Sequence, residues 1–158
     1  MAGFTLVPSE FFTSEDAYRI LSEVVPLQDT DIVQHIELPD YKAVLIYVQK
    51  SEDESTSELP IADLLRFTPT ISAHNRLAVS LDNQYIYIVL AEGDKLLLAN
   101  AYPATDIVTA EYFIFAALRE FQINPRMTTI HFLGEVPSGL TEEMFRHFRA
   151  VEFIWSTG

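Results

Sequence analysis

The chain has 158 residues, of which 49% are hydrophobic and 21% charged, with ten basic against 23 acidic side chains and a net charge of −13. That composition is globular, and the length suits one ordinary domain or two small lobes. Its acidity argues against general binding to nucleic acid or anionic lipid, both of which require clustered cations. There is no cysteine, which removes disulfides, thiolate metal sites and cysteine nucleophiles together. No apolar run approaches the roughly 18 residues that would cross a bilayer. The opening MAGFTLVPSEFF has neither the basic region nor the cleavage site of a signal peptide, so a cytoplasmic location is expected.

In chain order, Phe4–Phe12 alternates imperfectly around Pro8, as expected of an edge or bulged strand. A helix follows over residues 14–25. Thr13 is its expected cap with Asp16 three residues on, an acidic variant of the capping box. Ala17, Ile20, Leu21, Val24 and Val25 recur at helical spacing before Pro26. Residues 32–49 read as two strands around the turn LPDYK. The run SEDESTSELP holds four acids and four hydroxyl residues and reads as a solvated loop. IADLLRF is expected as a short helix and TPTISAHN as a short strand, ending at a domain boundary near Ala73–Asn75. The expected lobes are therefore 1–74 and 75–158.

From Leu77 the signals sharpen. LAVSLDNQYIYIVLAEGDKLLLANAY reads as three strands joined by two tight turns. Ile86, Ile88 and Leu90 point one way, and Tyr85, Tyr87 and Val89 the other. Gly93 in the second turn is free to take a positive φ. A long helix follows, with Thr105 as the expected cap and Asn124–Pro125 as the stop. Its apolar surface is wide enough to predict burial on more than one side. TTIHFLG is a strand and the loop GEVPSG follows. LTEEMFRHFRA is a helix capped by Thr141, and VEFIW is a last strand. The order strand, strand, strand, helix, strand, helix, strand is that of a ribonuclease H-like lobe with a mixed sheet. The first half reads as a shortened copy without the opening strand pair, so a missing amino-terminal segment is expected.

The runs FTLVPSEFF, DKLLLANAYPATDIVTAEYFIFAALREFQINP, IHFLGEV and FRHFRAVEF resemble an uncharacterised family of Bacteroidetes domain-of-unknown-function proteins. Members of that family have two ribonuclease H-like lobes of the actin-like ATPase (ASKHA) superfamily. The resemblance covers most of the chain, but it lies in apolar and aromatic patterns rather than catalytic signatures. It implies an α/β actin-like fold of two lobes with mixed sheets, the first incomplete, in a cytoplasmic bacterial setting. It implies no established activity.

In that superfamily, nucleotide sits in a cleft where glycine-rich turns let backbone amides approach phosphate, since a β-carbon would obstruct them. The equivalent turn here is Leu81-Asp82-Asn83-Gln84, which keeps an acid but has no glycine. Asp82–Asn83 is also a good turn pair in its own right. The loop Gly134–Gly139 falls where an adenosine loop would lie, yet Glu135 would repel phosphate and Pro137 lacks an amide. The candidate ligand residues are thus Asp82, Asn83, Gly134, Glu135, Ser138 and Gly139, with phosphate contacts expected to be lost. A two-metal nuclease set of Asp82, Glu111 and Glu135 is disfavoured, because Asp82 lies in a turn rather than mid-strand. His35, His74, His131 and His147 show no i, i+4 histidine pair or compact zinc spacing. No catalytic residue, cofactor or metal is therefore expected.

The leading expectation is a non-catalytic binding or scaffolding protein on a degenerate actin-like fold. Its interaction surface would be the cleft or the aromatic face around Tyr85 and Tyr87. The alternatives are an ATP-binding protein whose site needs the missing segment, and a subunit that meets a protein partner through an exposed sheet edge.

Overall fold

The computed structural model describes residues 3–49 and 60–154. The chain divides into two compact units, residues 1–59 and 60–158.

The first unit contains β1 (Phe4–Pro8), α1 (Ala17–Ser22), β2 (Ile32–Leu38) and β3 (Ala43–Gln49), with the sheet order β1-β3-β2. Both pairings are antiparallel, so mixed pairing belongs to the second unit alone among the described strands. Val44 and Ile46 of β3 pack with Ala17, Leu21 and Val25 in one small core. β1 stops at Pro8 rather than Phe12, because Ser9–Phe11 closes into a 3-10 turn. The predicted helix also begins as a 3-10 turn, Ser14–Asp16, where the Thr13 hydroxyl donates to the Asp16 carboxylate at 2.9 Å. That pair closes side chain to side chain, leaving a regular helix of only six residues. The acidic run predicted as a loop lies outside the described residues, apart from Pro60 at its end.

The second unit starts with α2 (Pro60–Phe67), followed by β4 (Asn75–Leu81), β5 (Tyr85–Glu92), β6 (Lys95–Pro103), α3 (Ile107–Glu120), β7 (Thr129–Leu133), α4 (Ser138–His147) and β8 (Ala150–Ile154). The sheet order is β6-β5-β4-β7-β8. β4, β5 and β6 are antiparallel neighbours, whereas β7 lies parallel to β4 and β8 parallel to β7. The predicted order of strands and helices from Leu77 is thus present in full.

Alternation along the strands sorts the two faces. Ile86, Ile88 and Leu90 of β5 join Ile130 and Phe132 of β7 in a core closed by Ala110, Ile114 and Leu118 of α3 and by Leu140 and Met144 of α4. α2 packs against β4, β5 and β6, burying Ile61, Ala62, Leu64 and Leu65. The Phe67 ring lies 5.5 Å from that of His131, which alternates with the core residues Ile130 and Phe132. α2 therefore covers the opposite face of this sheet. Its apolar stripe needs that face, which is why the division falls between residues 59 and 60 rather than at 74/75. Of residues 68–75, expected as a strand, Thr68–Thr70 form a 3-10 turn and only Asn75 is strand, as the first residue of β4.

α3 is less enclosed than its composition suggests. Val108 and Tyr112 remain 76% and 58% exposed, so only one side of the helix is buried. α4 begins at Ser138, earlier than the predicted cap Thr141, whose hydroxyl instead donates back to the Pro137 carbonyl.

These burials set the cost of truncation. Ile88→Ala is expected to lower the unfolding free energy by about 2–5 kcal/mol in urea denaturation, since Ile88 is wholly buried. Val108→Ala is expected to change it by no more than about 0.5 kcal/mol.

Candidate functional site

β6 and β4 both run antiparallel to β5, and β7 runs parallel to β4. The carboxyl ends of β4, β6 and β7 therefore share one edge of the sheet, where α/β folds gather ligands. A cavity of about 440 Å³ opens there. Its walls come from the β4–β5 turn with Leu81, Asp82 and Asn83, from Thr105, Asp106 and Ile107 entering α3, and from Glu135, Val136 and Pro137 entering α4.

Asp82 is the most heavily engaged group on this wall. One carboxylate oxygen accepts the Gln84 amide at 2.8 Å and the Tyr85 amide at 2.7 Å. The other accepts the Tyr87 hydroxyl at 2.8 Å. Both turn amides are thus turned onto a side chain of this chain. Tyr87 is buried at 5% exposure. Burial pushes its hydroxyl well above the ordinary phenol range, and the bond to Asp82 adds to that. Tyr87 accordingly forms no part of an exposed aromatic face.

A second carboxylate occupies the start of α3. The cap is Asp106, one residue beyond the predicted Thr105, and it accepts the Thr109 amide at 2.7 Å. The Thr109 amide and hydroxyl hold the Asp106 carboxyl below its ordinary value of 3.8. A helix amino terminus is a favourable place for an anion, and here the anion belongs to the protein. Glu135 is the third acid on the wall. α4 opens on Pro137, which has no amide to offer.

The remaining candidates separate. Asp82, Asn83 and Glu135 meet at the cavity, whereas Gly134, Ser138 and Gly139 are outside its lining. Gly134 has φ +90° and donates its amide to the Ile154 carbonyl at 3.3 Å. A β-carbon on Gly139 would come 2.9 Å from Ile107 Cδ1, so that glycine serves the approach of α4 to α3. Glu111 does not join Asp82 and Glu135. It lies on α3 with Glu143 and His147 of α4, their ligand atoms within 4.8 Å of one another. A search limited to paired histidines overlooks this set, although Glu143 and His147 stand at i, i+4 in the sequence.

The sequence profile of proteins of unknown function called DUF3822 matches residues 57–151. The chain belongs to the DUF3822 family. A crystal structure of a Bacteroides thetaiotaomicron protein with actin-like ATPase fold and unknown function superposes at TM-score 0.75 and 18% sequence identity. The match covers 98% of this chain and 65% of that one, so the chain spans just under two thirds of its neighbour. At that identity the likeness shows the fold alone, an α/β actin-like ATPase fold, as the aromatic and apolar runs suggested. No curated protein matches the chain. No described helix of this DUF3822 protein is long and apolar enough to cross a membrane.

Two measurements probe the wall. Asp82→Ala leaves two turn amides and a buried hydroxyl without their acceptor, and is expected to cost about 1–3 kcal/mol in denaturant unfolding. Tyr87→Phe alone should cost less, and the double variant should cost less than the sum of the two. Asp106 contributes through its lowered pKa. Its contribution is complete above the unfolded value near 3.8 and is lost as pH falls through the folded value. Asp106→Asn, which keeps a capping oxygen, is therefore expected to reduce the acid sensitivity of the thermal midpoint below about pH 4.

Proposed function

We propose that this DUF3822 protein is a non-catalytic binding protein on an actin-like fold, whose strand-end cavity receives a neutral or positively charged group rather than a nucleotide's phosphates. One observation carries the reading. The described residues lining the cavity include Asp82, Asp106 and Glu135 and no lysine, arginine or histidine, with two of those carboxylates already bonded to the amides available there. A triphosphate placed against this wall would meet negative charge without compensating donors. The net charge of −13 supports the same preference, since it favours encounter with a basic partner surface and opposes nucleic acid and anionic lipid. A cytoplasmic bacterial setting, with a protein as partner, belongs to this proposal.

The second reading is nucleotide binding on the actin-like fold. It is favoured by the neighbour's actin-like ATPase fold. Thermal unfolding of the full chain with magnesium and ATP, ADP or GTP decides between them. A ligand held at about one hundred times its dissociation constant stabilises by about 2.7 kcal/mol, a shift of several degrees. The proposal expects millimolar nucleotide to leave the midpoint where magnesium alone leaves it. A reproducible rise of several degrees with any of the three nucleotides would overturn it.

A further inference from the structure

Away from the strand-end cavity, two helices bring together three side chains for which the binding reading has no use. Glu111 stands on α3, and Glu143 and His147 stand one turn apart on α4. Residues at i and i+4 share one face of a helix, so α4 presents a carboxylate and an imidazole side by side toward the carboxylate of α3. The candidate ligand atoms already lie within 4.8 Å of one another. Ligands around a tetrahedral zinc ion are roughly 3.3 Å apart, from bond lengths of about 2.0–2.2 Å. A side-chain adjustment of an ångström or so closes that gap.

The surroundings restrain these side chains. All three residues are half-buried. The Phe115 ring stands edge-on to the His147 imidazole at 5.1 Å and stacks with Phe148 at 5.8 Å, which limits the orientation of the imidazole. Arg146 holds one oxygen of Glu143 at 3.2 Å, while the other lies 3.7 Å from His147 Nε2. Glu111 makes no hydrogen bond or ion pair with a described side chain, although it is half-buried and faces a second carboxylate. Two carboxylates so close repel one another unless a cation lies nearby. Arg146 offsets the charge of Glu143, which leaves Glu111 without a cationic partner among the described side chains. The close contact at Gly139 and Ile107 fixes the spacing of the two helices that carry the ligands.

We propose that Glu111, Glu143 and His147 form a binding site for a divalent transition-metal ion of the zinc class. The imidazole selects against magnesium and calcium, which prefer all-oxygen shells. Three protein ligands leave a fourth position for water or for a donor from a partner.

The test is calorimetric titration of the full metal-stripped chain with zinc, alongside Glu111→Gln, His147→Ala and, as a control, Glu142→Gln. Glu142 is an exposed neighbour on α4 outside the cluster. The expected result is one zinc per wild-type and control chain, with affinity at least tenfold weaker in each of the other two variants. Their metal-free thermal midpoints should stay close to wild type, separating lost ligation from lost folding. Cobalt should give the intense visible bands of a low-coordinate site with wild type and lose them with His147→Ala. Equal zinc affinity in all four proteins would place the metal on unrelated surface acids and overturn the proposal. So would magnesium binding as tightly as zinc, or no saturable zinc binding to wild type at micromolar concentration.

Discussion

The parallel pairing of β4 with β7 is the constraint on which the second unit depends. Leu77 faces Ile130 and Val79 faces Phe132 across it, and these residues supply much of the core beneath α3 and α4. Parallel strands must be joined by a crossover, and here the chain returns from β6 to β7 through α3. The same pairing sends β4, β6 and β7 to a common edge, where the β4–β5 turn and the entries to α3 and α4 surround one cavity. The cavity is thus a consequence of strand direction, and its chemistry is set by the few residues that the loops place on its wall.

Those residues spend their polar groups inward. Asp82 draws the amides of its own turn onto its carboxylate and ties the turn to the buried Tyr87 hydroxyl. Asp106 likewise accepts the Thr109 amide in the first turn of α3. Both arrangements stabilise local structure. On the proposed reading, a chain with an actin-like ATPase fold carries a wall whose carboxylates oppose phosphate. A fold does not by itself fix a function, which rests on individual side chains.

Much of this was legible in the sequence where periodicity and turn chemistry agreed. The three-strand run from Leu77, the hairpin at Gly93 and the helix–strand–helix–strand that follows were readable because alternation and helical spacing change cleanly there. Asp82 as a turn residue was readable because an Asp–Asn pair has a local reason to bend. What failed was tertiary. α2 has a short apolar stripe that could have covered either sheet, and only packing assigns it to the second. Caps were displaced by one to four residues, because Thr105 and Asp106 are both competent and Pro137 permits an earlier start to α4 than Thr141. The exposure of Val108 and Tyr112 was hidden because a helix rich in apolar residues looks buried all round. The Glu111, Glu143 and His147 cluster needed two helices to be brought together, which no spacing within one element reveals.

On the proposed reading, the protein's own carboxylates hold the backbone amides that would otherwise bind phosphate. Amide chemical shifts followed during a titration with pyrophosphate and magnesium test it residue by residue. With those amides so held, the Gln84, Tyr85 and Thr109 resonances are expected to stay in place up to millimolar ligand. Saturable movement of these three together, with a common dissociation constant, would contradict it.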